Sequence, residues 1–113
     1  NEHAGKPVSE VHRNLTSLTD LRFVAITDDL NSLGDIDVAF FGLPHGQALE
    51  LVPRLPSGVR AIDLSGDFRI DDPAVFETFY KKKHAGDLQK RFVYGLTETN
   101  REAISGAEYI ANP

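Results

Sequence analysis

The sequence contains no cysteine. Disulfides, thiolate metal sites and a thiol nucleophile are therefore excluded within these residues. It also contains no methionine, hence no initiator, and it stops at Pro113 directly after an apolar run. The chain is therefore expected to be a piece of a longer protein. No apolar run approaches the roughly 18 residues that a membrane crossing needs. Asn1 to Glu10 is polar and lacks the apolar stretch of a signal peptide. A cytoplasmic location with no membrane partner is the default expectation. Positive charge is in short supply, with 12 Lys and Arg against 17 Asp and Glu and a net charge of −5. That argues against nucleic acid, because a phosphate-backbone partner needs a basic surface. The one basic cluster, Lys81 to His84, reads as a solvated loop. A glycine-rich G-x-G-x-x-G turn is missing, so nucleotide binding is not demonstrated by a fingerprint. No histidine stands at metal-ligand spacing from His45, and no metal site is expected.

What is present fits one modest α/β domain. The chain has 113 residues, of which 41% are apolar and 26% charged, ordinary values for a globular protein. Four apolar runs stand out: Arg22 to Ile26, Asp37 to Leu43, Val59 to Leu64 and Ala107 to Ala111. Runs apolar on both faces are expected to be buried parallel strands. Between the second and third, Ala48, Leu49, Leu51, Val52 and Leu55 recur at helical spacing. Pro53 should kink or shorten that helix, and Pro56-Ser57-Gly58 should end it. Asp35 to Leu64 thus reads as a right-handed βαβ unit of about 30 residues. Asp72-Pro73 should open a helix, with Asp72 or Asp71 as its cap. A helical turn over Thr99 to Ile104 should precede the last strand, stopped by Gly106. The expected architecture is an open, doubly wound, mostly parallel sheet of Rossmann-like type.

In such sheets ligands bind outside the carboxyl ends of the strands. Leu43-Pro44-His45-Gly46 lies between a strand and a helix start, where free backbone N–H groups attract an anion or a dinucleotide; a plain strand-to-helix turn is the competing reading. Asp63-Leu64-Ser65-Gly66-Asp67-Phe68-Arg69 packs two acids, a hydroxyl and a guanidinium into seven residues. Arg69 can clamp a phosphate or carboxylate, or it can pair locally with Asp63 or Asp67. The third strand end is Ala111-Asn112-Pro113. Leu43, Leu64 and Ala111 should end three neighbouring strands, so that His45, Ser65 and Asn112 open on one crevice. Ser65 has no G-x-S-x-G elbow, so no good nucleophile is present. In the further polar cluster Tyr94 to Arg101, Glu98 can orient a partner, or Thr97 or Thr99 can cap a helix.

Taken together, Ala4 to His12, Leu43 to Gly46, Ile62 to Arg69, Tyr94 to Glu98 with Asn100-Arg101, and Ala111 to Pro113 resemble the N-acetyl-gamma-glutamyl-phosphate reductases, of the semialdehyde dehydrogenase type. Order and spacing match across nearly the whole chain. The resemblance implies a partial NAD(P)-binding Rossmann domain over residues 1–113. The first βαβ turn and a catalytic and dimerisation domain would lie outside it. The implied reaction reduces N-acetylglutamyl phosphate to N-acetylglutamate semialdehyde with NADPH, in arginine biosynthesis. The implied nucleophile is a cysteine just after Pro113, and the implied state is a homo-oligomer when full length. Leu43, Pro44, His45, Gly46, Ser65 and Gly66 would border the cofactor, and Arg69 and Asn112 the substrate. Asn1-Glu2 falls where the family often carries a contact to the 2′-phosphate of NADP. Thr97 stands for a common proline and Gly66 for a common alanine. A reductase for aspartyl or carrier-bound aminoadipyl phosphate and a non-catalytic Rossmann-like module are the alternatives.

Overall fold

Short runs of strand formers pair in parallel through the second part of the chain. β1 (Val38–Phe41), β2 (Arg60–Asp63), β3 (Phe92–Tyr94) and β4 (Tyr109–Ala111) form a sheet of order β1-β2-β4-β3, every pair parallel. The computed structural model describes residues 2–26 and 29–113. The chain divides into two units, Asn1–Leu30 and Asn31–Pro113, and the sheet lies in the second.

Pleating sends alternate residues to opposite faces. Ala39, Ala61, Tyr109 and Phe92 form one register row and Phe41, Asp63, Ala111 and Tyr94 the next, both on the same face. That face carries the core: Phe41, Ala61, Phe92, Tyr109 and Ala111 cluster with Ala48, Val52 and Phe68. The Phe68 and Phe92 rings stack with centroids 3.8 Å apart. The opposite row is Phe40, Ile62, Ile110 and Val93. There Phe40 is 66% exposed. Being apolar on both faces therefore does not make β1 buried on both.

Helix α2 (Gln47–Leu51) runs into a 3-10 turn at Val52–Arg54. Pro53 offers no N–H to continue the α-helical ladder, so the turn tightens where the sequence placed a kink. Ala48 and Val52, four residues apart, are its buried contacts. Helix α3 (Pro73–Tyr80) begins as expected: Asp72 Oδ1 accepts from the N–H groups of Ala74 and Val75 at 2.8 and 3.0 Å. Such a cap contributes about 1 kcal/mol. Helix α4 (Thr97–Gly106) starts two residues before the expected turn, is kinked at Asn100, which has φ −122° and ψ 19°, and has Gly106 as its last residue rather than a left-handed stop. Leu96 is the cap residue and no side chain caps this helix, which corrects the Thr97 and Thr99 reading. No helix is long and apolar enough to cross a membrane, among the described residues.

The first unit differs from expectation. Arg22 to Ile26 is not a strand of the sheet. It makes one antiparallel bridge, Pro7 to Arg22, flanked by Gly5 N–H to Phe23 carbonyl (2.7 Å) and Phe23 N–H to Lys6 carbonyl (3.0 Å). A short helix α1 (Val8–Val11) lies between. Phe23 packs near His3 and His12, with ring centroids 5.6 and 6.2 Å away. Val24 and Ile26 stay exposed. Strand-forming residues here pair back on the segment Gly5 to Pro7 instead of joining the sheet. Conversely, β3 was not anticipated: it is three residues long and follows the charged segment Gly86–Arg91.

Candidate functional site

Parallel strands bring their carboxyl ends to one edge. The loops after β1, β2 and β4 are adjacent there, as the sequence suggested for Leu43, Leu64 and Ala111, although β1 and β2 end earlier, at Phe41 and Asp63. Main-chain bonds tie the edge together. Leu64 N–H donates to the Phe41 carbonyl at 2.9 Å, and Asn112 N–H to the Asp63 carbonyl at 2.8 Å.

Asp67 organises the junction between the first two loops. It is 1% exposed. Its Oδ2 accepts from the Gly46 N–H at 2.7 Å, and its Oδ1 lies 3.2 Å from His45 Nδ1. Gly46 reaches this position with φ of +94°, in the left-handed region that glycine adopts without penalty. The Gln47 N–H is held by the Pro44 carbonyl. Two N–H groups expected to be open to an anion are therefore already engaged. Leu43 packs against the core, while Pro44 is exposed.

Asp63 organises the second loop from below. It is fully buried. Ser65 Oγ donates to its carboxylate at 2.8 and 2.9 Å, and the Ser65 N–H adds a bond at 3.2 Å. Asp67 N–H in turn donates to Ser65 Oγ at 3.1 Å. Burial pushes the Asp63 carboxyl above its ordinary range, and the nearby Asp67 charge adds to this. The Ser65 bonds and the Arg69 guanidinium oppose it.

Arg69 joins the second loop to the third. Its Nε donates to the Asn112 carbonyl at 3.0 Å and its Nη2 to the Ser65 carbonyl at 3.3 Å. Its hydrogen bonds thus go to main-chain carbonyls, not to Asp63 or Asp67 as the local-pair reading had it. A guanidinium has five N–H donors, so further donors remain on the same group.

Gly66 closes the site's floor. A Cβ there would lie 2.7 Å from His45 Cε1 and 2.7 Å from the Tyr80 hydroxyl. The bare backbone lets both rings lie close, with His45 and Tyr80 centroids 4.8 Å apart. An alanine would push two flexible ring ends aside. Of the residues proposed from sequence, the structure brings together His45, Gly46, Ser65, Gly66, Arg69 and Asn112. Glu98 is exposed in the first turn of α4 and is not part of this network. Asn1 lies outside the described residues. Sequence reasoning gave no site role to Tyr80, which sits in α3, and took Asp63 and Asp67 only as possible partners of Arg69. Their alternation with Ser65, acid-x-hydroxyl-x-acid, was the available sign of a turn folded around its own side chains.

Comparison with known proteins follows the same outline. A LysW-L-2-aminoadipate/LysW-L-glutamate phosphate reductase of Sulfurisphaera tokodaii is 44% identical over 99% of this chain. N-acetyl-gamma-glutamyl-phosphate reductases of a Psychrobacter species and of Bordetella pertussis are 44% and 47% identical over 97% and 96% of it. The chain covers only 31–32% of these relatives, about a third of their length. Residues 1–107 match the family described as the semialdehyde dehydrogenase NAD binding domain, and the chain belongs to that family.

Proposed function

We propose that this chain serves as the nucleotide-binding part of a longer reductase, which converts N-acetyl-gamma-glutamyl phosphate to N-acetylglutamate semialdehyde with NADPH. The observation that carries this reading is the junction of the loops after β1, β2 and β4 at one edge of a parallel sheet. It occurs in a chain 44–47% identical to reductases of that name. Leu43, Pro44, His45, Gly46, Ser65 and Gly66 would border the cofactor. They suit its nicotinamide and ribose end better than its phosphates. The Gly46 N–H already serves the Asp67 carboxylate, and a buried carboxylate disfavours a second anion beside it. The cofactor supplies the hydride when bound, and these residues orient it and exclude water. Arg69 keeps donors free for an acyl phosphate, while Asn112 and Pro113 shape the turn expected to present the nucleophile.

The Sulfurisphaera relative supports a second reading, a carrier-bound aminoadipyl or glutamyl phosphate as substrate. The full-length protein separates the two in the reverse direction. Phosphate-dependent reduction of NADP, with NAD as the comparison, is followed with N-acetylglutamate semialdehyde and with a LysW-bound semialdehyde. Turnover of the first is expected. The 113 residues alone, having no cysteine, should give none. Turnover of the carrier-bound compound alone replaces the first reading with the second. Turnover of neither removes both and leaves the aspartyl-phosphate reductase and the non-catalytic module.

A further inference from the structure

We propose that Asp67 is a positioning residue: it fixes the tautomer and the direction of His45, so that Nε2 of the imidazole is presented as an acceptor to an uncharged hydroxyl or carboxamide donor of the bound nucleotide. This rests on the cofactor reading above and goes beyond it, since Asp67 itself touches no ligand in this scheme.

The geometry leaves Asp67 little freedom. Its side chain is almost wholly buried, one oxygen is held by the Gly46 N–H, and the other faces His45 Nδ1. Asp67 N–H is bonded to Ser65 Oγ, whose own hydroxyl is held by Asp63, so the carboxylate stands on a second fixed layer. A carboxylate only accepts, so the neutral ring must carry its proton on Nδ1. Nε2 then offers a lone pair. The ring packs against the Gly66 backbone and Tyr80 on one side. Its side chain is 44% exposed, and among the described residues its one hydrogen bond runs through Nδ1. One nitrogen is thus anchored in the protein interior while the ring stays accessible at the ligand-binding edge of the sheet. His45 is held through its side chain and its neighbour Gly46 through its backbone by the two oxygens of one carboxylate. Turn and ring therefore keep a fixed relation.

Asp67→Asn tests this with little change of shape. The amide oxygen still accepts from the Gly46 N–H, but the amide N–H now faces Nδ1, and the neutral ring must move its proton to Nε2. In the full-length protein, nitrogen-15 NMR of the neutral His45 ring should show Nδ1 protonated in the wild type and Nε2 protonated in Asp67→Asn. NADPH titration should show weakening of about ten-fold in Asp67→Asn and in His45→Ala, the loss of one hydrogen bond. The double variant should be no weaker than His45→Ala alone. A wild-type ring protonated on Nε2 overturns the proposal even if Asp67→Asn does not fold. Additive losses in the double variant overturn it too, because Asp67 would then act through the fold and not through His45. If the wild type shows the Nδ1 tautomer yet binds no dinucleotide, the cofactor reading fails and the ligand half of the proposal with it, while the anchoring of His45 stands.

Discussion

Arg69→Lys in the full-length enzyme is expected to lower kcat/KM by about ten- to 150-fold, and Arg69→Ala by more, with cofactor affinity nearly unchanged. The size follows from one charge-assisted hydrogen bond, about 1.5–3 kcal/mol. Arg69 donates through Nε to the Asn112 carbonyl and through Nη2 to the Ser65 carbonyl. An ammonium keeps the charge but has no planar fork, so it does not hold two carbonyls in those directions and still offer a donor to substrate. Steady-state kinetics and a thermal melt on both variants separate the two tasks of the group. If Arg69 is only a staple between loops, kcat and melting temperature fall while the KM for phosphate in the reverse reaction stays put. If it also receives the substrate's phosphate, that KM rises. A melting shift with unchanged kcat/KM would remove Arg69 from the site altogether.

The sequence carried the strand edge and missed what holds it together, for a physical reason. β1, β2 and β4 are legible because continuous apolar runs such as Val38–Phe41 and Tyr109–Ala111 need a buried parallel neighbour. The cap at Asp72 and the break near Pro53 are legible because both act within one turn of chain. Arg22 to Ile26 has the same local composition but pairs back on Lys6 and Pro7. Strand propensity records a fit to a half-buried surface, not which partner supplies it. Asp67 to His45 spans 22 residues and Arg69 to Asn112 spans 43. Such contacts exist only after the sheet aligns its loops, so residue types at the turns disclosed candidates without their partners. That is why the acids beside Arg69 were its only visible partners within the protein, when main-chain carbonyls hold it. It is also why Leu43 to Gly46 could be read either as a plain turn or as a site of open N–H groups, when Asp67, on the next loop, holds the Gly46 N–H.

Gly95→Ala should destabilise the protein by about 2–3 kcal/mol, because the added methyl has nowhere to go. Its Cβ would stand 2.7 Å from the Ala111 carbonyl oxygen and 3.1 Å from Ile110 Cγ2. The first is backbone, so no rotamer relieves it. The same oxygen accepts the Gly95 N–H at 2.7 Å, just beyond the pairing of Tyr94 with Ala111. Relief therefore requires β3 and β4 to part at their carboxyl ends, moving Asn112 and the turn that Arg69 holds. Gly95 thus belongs to the Tyr94-Gly95-Leu96 segment as a packing requirement at the site's edge, with no ligand needed to explain it. Gly106 supplies the control. It ends α4 with nothing within 4 Å of its added Cβ. Gly106→Ala should be neutral or stabilising by up to about 1 kcal/mol through helix propensity. Urea denaturation of both variants compares them directly. A midpoint for Gly95→Ala equal to the wild type would mean that β3 and β4 are not held at this spacing, and with it the support for the Asn112 turn would fall.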